Sequence, residues 1–166
     1  MEIEISNESG LVLKSQLLDE KCNGMATLML NEASFGNQEF DYDLTLFYGQ
    51  LLEGVRSGCF AVDCLFDISH STFEYFFDKT YGEESLEPTE SNEQLVEFFR
   101  LKDDVVFTYG DYGLDECLVG FLQKGDLEKL IVIDHESGSS GSIVMPRGSF
   151  EKAIGKMYDK LQLTCS

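Results

Sequence analysis

Residues 114–135 read LDECLVGFLQKGDLEKLIVIDH, and the way this stretch divides is the strongest indication of the fold. Two apolar segments of strand length, 114–123 and 127–135, flank the polar residues Lys124-Gly125-Asp126. Apolar runs of this length around a short turn that contains glycine are typical of a β-hairpin. The stretch therefore predicts two neighbouring antiparallel strands.

The N-terminal segment predicts further strands. Ile3 and Ile5 alternate with glutamates, which is the period-two pattern of a strand with one buried face. A predicted turn at 7–10 separates this strand from the next candidates, which lie at 11–17 and 25–30. Apolar segments later in the chain predict strands at 59–66, 105–109 and 143–145, the last after a serine- and glycine-rich turn at 137–141.

A helix is predicted from Leu44 onward. Its apolar residues recur at i, i+3, i+4, i+7, i+8 and i+11, and they are Leu44, Phe47, Tyr48, Leu51, Leu52 and Val55. Asp43 is the expected N-cap, and Gly58 stands where the helix is expected to end. The spacing indicates a helix with one buried face.

Three more helices follow from capping patterns and spacing. Capping boxes that begin at Ser71 and Ser91 predict the starts of two shorter helices. Apolar residues from Phe150 to Leu161 recur at helical spacing, with Ser149 as the expected N-cap. The elements together predict an α+β fold, a single domain over residues 1–166 in which an antiparallel β-sheet packs with helices mainly on one face.

The chain is strongly acidic: 31 Asp and Glu stand against 12 Lys and Arg, a formal net charge of −19. Nucleic acids and anionic lipids are negatively charged, so this composition disfavours both as partners. A cationic partner is attracted instead, and its rate of association rises. With 13 Phe and 7 Tyr, the chain is too aromatic for an acidic disordered protein. The alternative that the acidity serves solubility alone stays open.

The five cysteines predict no disulfide framework. Their number is odd, no CxxC motif occurs, and Cys59 and Cys64 lie within an apolar run. We therefore expect buried thiols in a reducing compartment and no zinc site. The N-terminus lacks the basic and apolar regions of a secretory signal, and no segment is apolar enough to span a membrane. The expected location is cytoplasmic.

No motif indicates catalysis. Asp134 and His135 are neighbours on a predicted strand and point to opposite faces, so Asp134 is poorly placed to orient the imidazole. The acidic stretch 103–116 lacks the ligand spacing of a calcium-binding loop. We expect no catalytic residues, no metal site and no cofactor. A small enzyme with a carboxylate pair stays an alternative, because only the separation of carboxylates in space is diagnostic.

Carboxylates beside tyrosines are the candidate partner-binding residues. Arginine and lysine of a partner can pair with carboxylates and stack on phenol rings, and tyrosine is enriched at interface hot spots. The predicted residues are Asp41, Asp43, Glu83, Glu84, Asp103, Asp104, Tyr109, Asp111, Tyr112, Asp115 and Glu116. The alternative for these residues is a solvated edge with some tyrosine rings in the core.

Several short motifs resemble those of bacterial immunity proteins, the inhibitors of toxins in contact-dependent growth inhibition and related polymorphic toxin systems. They are Leu28-Met29-Leu30-Asn31-Glu32, Phe35-Gly36, Gly120-Phe121-Leu122, Glu128-Lys129-Leu130-Ile131-Val132 and Met145-Pro146-Arg147-Gly148-Ser149-Phe150. The resemblance implies a cytoplasmic protein, monomeric or weakly dimeric, that binds a cognate toxin C-terminal domain and blocks its active site or substrate surface without chemistry of its own. Many such toxins are nucleases, whose substrate surfaces are cationic. An acidic adaptor or nucleic-acid mimic outside toxin systems is the alternative.

Overall fold

The computed structural model describes residues 1–36, 42–58, 63–81, 93–109, 117–135 and 137–165. Within these ranges the strands are β1 (Glu2–Ser6), β2 (Leu11–Leu17), β3 (Asn23–Leu30), β4 (Ala33–Phe35), β5 (Tyr42–Asp43), β6 (Val106–Tyr109), β7 (Cys117–Lys124), β8 (Leu127–Asp134) and β9 (Ser139–Pro146). The helices are α1 (Leu44–Ser57), α2 (Asp63–Phe66), α3 (His70–Tyr81), α4 (Glu93–Val105) and α5 (Ser149–Thr164).

The strands form two antiparallel sheets. The first sheet has the order β1-β2-β3-β4, with β5 paired to the start of β3, and the second has the order β6-β7-β8-β9. The α+β class and the antiparallel pairing are confirmed, including the hairpin, in which Gly125 takes a φ of 56°. The strands nevertheless divide between two sheets, where the sequence predicts one.

The two sheets differ in how they are buried. Along β2 every second side chain is buried, so the first sheet has one core-facing side. Along β7 and β8 six consecutive residues are buried, which places both sides of the second sheet in contact with other elements. One side joins the first sheet, α1 and α5 in a common core, and the other side packs against α2, α3 and α4. Helices therefore lie on both sides of the second sheet, not mainly on one.

Two adjacent charged residues of β8, Glu128 and Lys129, are buried, and they contact elements on opposite sides of the second sheet. The first, Glu128, has a carboxylate that accepts hydrogen bonds from the backbone N–H groups of Gly148 (2.7 Å) and Phe150 (2.6 Å), at the start of α5. Burial raises the pKa of Glu128, although these N–H groups lower it. The expected N-cap Ser149 is therefore wrong: Gly148 is the N-cap, and a side chain distant in sequence supplies the acceptor.

Local signals located α1 correctly. Asp43 is its N-cap and Gly58 its C-cap, both as predicted. The start of α3 differs from expectation, because the hydroxyl of Ser69, not Ser71, accepts from the backbone N–H of Thr72. The other predicted capping residue, Ser91, lies outside the described residues.

Two predicted strands also differ from expectation. Asp63–Phe66 is a helix instead of the second half of a strand, and the first half of that strand, 59–62, lies outside the described residues. Strand β9 begins at Ser139, inside the predicted turn, because its residues 139–142 pair with β8.

A disulfide joins Cys22 to Cys165, with the two Cα atoms 5.8 Å apart. It links the turn between β2 and β3 to the C-terminal end of α5. The expectation that these two residues are thiols is therefore wrong. The cysteine count and the local motifs did not predict this pair, because its partners are 143 residues apart in the chain. Cys64 is an exposed free thiol, and Cys117 is buried.

Candidate functional site

The negative charge is distributed unevenly along the chain. Residues 1–116 contain 25 acidic and 6 basic side chains, which accounts for the whole net charge of −19, whereas residues 117–166 contain six of each. Residues 63–116 alone contain 15 acidic and 3 basic side chains. This segment includes α2, α3 and α4, which we call the acidic helical layer. The described side chains of these helices and their junctions are acidic as well, with Asp63, Asp67, Glu74, Asp78, Glu93 and Glu97 against Lys79 and Arg100, and they attract a cationic partner to this side of the second sheet.

Aromatic packing attaches the acidic helical layer to the sheet. The ring of Phe73 on α3 lies 5.1 Å from that of Phe98 on α4, centroid to centroid, and Phe76 lies 5.8 Å from Phe98. All three rings are buried. Gly120 on β7 makes room for the Phe73 ring, since a Cβ there would overlap the ring Cζ and lie 2.8 Å from Cε1. The layer thus has its own hydrophobic core, separate from that of the first sheet.

A buried lysine also holds this layer. The Nζ of Lys129, the neighbour of Glu128 on β8, donates to the backbone carbonyls of Phe66 (3.0 Å) and Ile68, just after α2. Burial lowers the pKa of Lys129, and the nearby carboxylate of Asp67 acts in the opposite direction. Asp67 itself pairs with Lys124 at 2.6 Å. These contacts fix the segment that leads from α2 into α3.

The solvent side of the layer carries carboxylates and aromatic rings. Tyr75 on α3 is 50% exposed and Phe99 on α4 is 37% exposed. Beside Tyr75, Asp78 is exposed and Glu74 is half-buried. On α4, Glu97 pairs with Arg100 at 3.1 Å. The layer thus combines the residue types that favour a cationic protein partner.

Asp43 has a structural role. Its carboxylate accepts hydrogen bonds from the Thr45 hydroxyl (2.5 Å) and from the N–H groups of Thr45 and Leu46 (both 3.0 Å). The Thr45 hydroxyl first, and then the Leu46 N–H, hold the pKa of Asp43 below its usual range. Asp43 begins α1, which packs against α5 and not within the acidic helical layer.

We expect Asp43→Ala to lower the free energy of unfolding by about 1 kcal/mol, because the helix loses its cap. Asp43→Asn keeps an acceptor and should change stability by only a few tenths of a kcal/mol. Folding lowers the pKa of Asp43, so the ionised carboxylate stabilises the folded protein at pH values above its ordinary pKa of 3.8. This stabilisation is lost as pH falls through the lower pKa that Asp43 has in the folded protein. Urea unfolding of the three proteins at pH 7 and pH 3 measures both effects. Equal stability of the alanine variant and the wild type at pH 7 would contradict the capping role.

The other predicted partner-binding residues divide into two groups. The backbone of Asp103 and Asp104 lies in the last turns of α4, where the sequence predicts a polar segment before a strand, and Tyr109 ends β6 at the edge of the second sheet. Helix α4, which carries Asp103 and Asp104, packs against both α3 and β6. Outside the described residues lie Asp41, Glu83, Glu84, Asp111, Tyr112, Asp115 and Glu116.

Sequence reasoning missed Tyr75 and its neighbouring carboxylates Glu74 and Asp78. The signal was present, because the segment places an aromatic ring beside acidic residues as at 109–112. The apolar Phe residues of the same helix predict only its buried face. Only the packing of α3 distinguishes the buried rings of Phe73, Phe76 and Phe77 from the exposed ring of Tyr75.

The opposite side of the molecule has a different character. A cleft of about 630 Å³ lies between the β1–β2 turn and the start of α5, lined among others by Glu8, Lys152 and Lys156.

Across the described ranges, no three His, Cys, Asp or Glu side chains come close enough together to hold a metal ion. In the same part of the chain, no helix combines the length and apolar character of a membrane span.

No protein-family model and no curated protein sequence matches the chain. Among solved structures, the fold is similar to that of CdiI from Burkholderia dolosa AUO158, with a TM-score of 0.65. The superposition covers 95% of this chain and 99% of CdiI, and the two sequences are 14% identical. At this identity the likeness concerns the fold, and at that level the resemblance predicted from the sequence is confirmed.

Proposed function

We propose that this chain is an immunity protein that binds a cognate toxin domain and neutralises it. The observation that carries the proposal is the fold shared with CdiI, an immunity protein, over nearly the whole length of both chains. The sequence motifs that resemble immunity proteins support the same assignment independently. No chemistry by this chain is needed for inhibition.

The charge distribution supports a cationic toxin, of the nuclease type. A nuclease holds phosphates on a positively charged surface. The acidic helical layer, which belongs to a sequence segment with 15 acidic and 3 basic residues, offers a complementary surface for that region of the enzyme. Inhibition then consists of occupying the surface that nucleic acid needs, and the association rate should fall steeply as salt rises.

The test begins with purification of the tagged chain from its native cells at low and moderate salt, followed by mass spectrometry of stoichiometric partners. A partner supports the proposal only if its domain is lethal when expressed alone and harmless when this chain is co-expressed. Recovery of the chain alone, or with a partner that is not toxic, would contradict it. A non-toxic, salt-resistant basic partner would favour the adaptor function instead.

The predicted interface residues can be tested with the same partner. We expect Asp111→Lys combined with Asp115→Lys to weaken toxin binding by about tenfold or more, because like charges then face each other across the interface. The matched control is Glu2→Lys combined with Glu8→Lys, which changes the net charge equally at exposed positions of β1 and the following turn. Surface plasmon resonance measures both. Equal losses of affinity would mean that only net charge matters and would overturn this interface assignment.

A further inference from the structure

The solvent-facing side of α3 carries the exposed aromatic ring of Tyr75. The buried residues of this helix, Phe73, Phe76, Phe77 and Thr80, all lie on the side that packs against the second sheet and α4. At 100° per residue, Tyr75 and Asp78 project in the opposite direction. Tyr75 is 50% exposed although its ring is large and mostly apolar. The helix therefore presents an accessible aromatic ring on its solvent-facing side.

An ammonium group already lies near this ring. The Nζ of Lys79 is 5.8 Å from the centroid of the Tyr75 ring, within the range of a cation–π interaction. Such contacts are favourable because the electron-rich face of the ring attracts positive charge. The contact is an intramolecular example of the chemistry that a cationic side chain of a partner would use at the same ring.

The carboxylates beside the ring stand where helix physics disfavours them. Glu74 and Asp78 are four residues apart, so two like charges are neighbours on one side of the helix. Asp78 also lies in the last turn of α3, near the negative end of the helix dipole. Among the described residues, neither carboxylate takes part in a salt bridge. A positive charge supplied from outside would relieve both repulsions.

We propose that the outward face of α3, with Tyr75 beside Glu74 and Asp78, is the docking site for an arginine or lysine side chain of a cationic protein partner. The incoming cation packs on the Tyr75 ring from the carboxylate side and pairs with Asp78 and Glu74, while Lys79 stays on the other side of the ring. The proposal rests on the proposed function and names the surface through which it acts. It adds residues to the interface that the sequence predicts at Asp41, Asp43, 83–84 and within 103–116.

Charge complementarity selects this face over the more exposed apolar side chain of Leu163. Leu163 is 83% exposed, but it lies on α5, whose side of the molecule carries Lys152, Lys156 and Lys160. Tyr75 belongs to the segment that carries most of the negative charge. An exposed tyrosine beside two carboxylates is the combination that favours an arginine-rich surface.

The test compares Asp78→Lys with Asp159→Lys. Both residues are exposed, both lie on helices, and both changes alter the net charge equally. With the toxin domain recovered from native cells, we expect Asp78→Lys to slow association about tenfold at low salt and Asp159→Lys to leave it within about twofold. Tyr75→Ala should raise the dissociation rate about tenfold, and Leu163→Ala should not. Thermal unfolding verifies that all four variants remain folded.

Two outcomes separate this proposal from the proposed function. If the wild type binds and neutralises a toxin but Asp78→Lys and Asp159→Lys behave alike, the α3 site is wrong and the function stands. If no toxic partner exists, the function fails, and the site is then judged with a poly-arginine peptide. Under those conditions the ring signals of Tyr75 in NMR spectra should shift on titration and the shifts should vanish in Asp78→Lys. Absence of the Tyr75 shifts would overturn the site.

Discussion

Replacing both Cys22 and Cys165 with alanine is expected to lower the free energy of unfolding by about 3–5 kcal/mol. In the chain-entropy model, a disulfide stabilises a protein by restricting the unfolded chain, and the effect grows with the length of the closed loop. Here the loop is nearly the whole chain, since the cysteines are 143 residues apart. The bond also fastens the end of α5 to the β2–β3 turn.

Guanidinium unfolding of the oxidised wild type, the reduced wild type and the double variant measures this effect. The reduced wild type should unfold at nearly the same denaturant concentration as the double variant, and both well below the oxidised protein. Cys64→Ala is the matched control, because that thiol is exposed and free, and its midpoint should not move. Identical midpoints for the oxidised and reduced wild type would contradict a stabilising disulfide.

Phe73→Ala is expected to lower the free energy of unfolding by about 3–5 kcal/mol, because it removes a fully buried ring from the centre of the acidic helical layer. Gly120→Ala alone should lower the free energy of unfolding by about 1–3 kcal/mol, since the new methyl group would overlap Cζ of the Phe73 ring. When both changes are combined, the methyl group introduced at position 120 enters space that the ring has vacated. The double variant should therefore lose less stability than the sum of the two single losses.

A double-mutant cycle by urea unfolding tests this coupling. A control cycle pairs Phe73→Ala with Gly155→Ala, because a Cβ at Gly155 on α5 meets no atom within 4 Å. That pair should be additive to within about 0.5 kcal/mol. Additivity in the Gly120 cycle as well would show that the ring does not occupy the space above Gly120. Under the proposed function, toxin binding should weaken in Phe73→Ala more than in variants of equal stability elsewhere, since α3 loses its anchor.

Helix boundaries illustrate where sequence patterns succeed and fail. Asp43 and Gly58 were predicted correctly as the ends of α1, because their side-chain and backbone chemistry acts within a few residues. Ser149 was wrong because the acceptor for the start of α5 comes from Glu128, about twenty residues earlier on another element. The segment 59–66 has an apolar composition that suits a strand or a short helix, and at Asp63–Phe66 contacts with β7 and α4 decide for the helix.

For the candidate site too, some features follow from the local sequence and others depend on tertiary packing. Composition alone indicated a cationic partner, because net charge requires no knowledge of the fold. Adjacent acids and tyrosines selected the segment 103–116, and α4 and β6 do place its start on the side of the molecule that carries α3. Asp43 was selected by the same pattern, and it also caps α1 as predicted. Tyr75 was overlooked because its exposure depends on which rings of α3 reach the core.

Local sequence was sufficient to predict the strands with alternating burial, the Gly125 hairpin, the first helix and the acidic character of the protein. Each depends on composition or on residues that are near neighbours in the chain, so short-range chemistry is enough. Long-range packing was needed to divide the strands between two sheets, to bring Cys22 to Cys165, and to let Glu128 and Lys129 hold helices on opposite sides of β8. These features join residues far apart in the chain, and their stability comes from burial that no single segment provides.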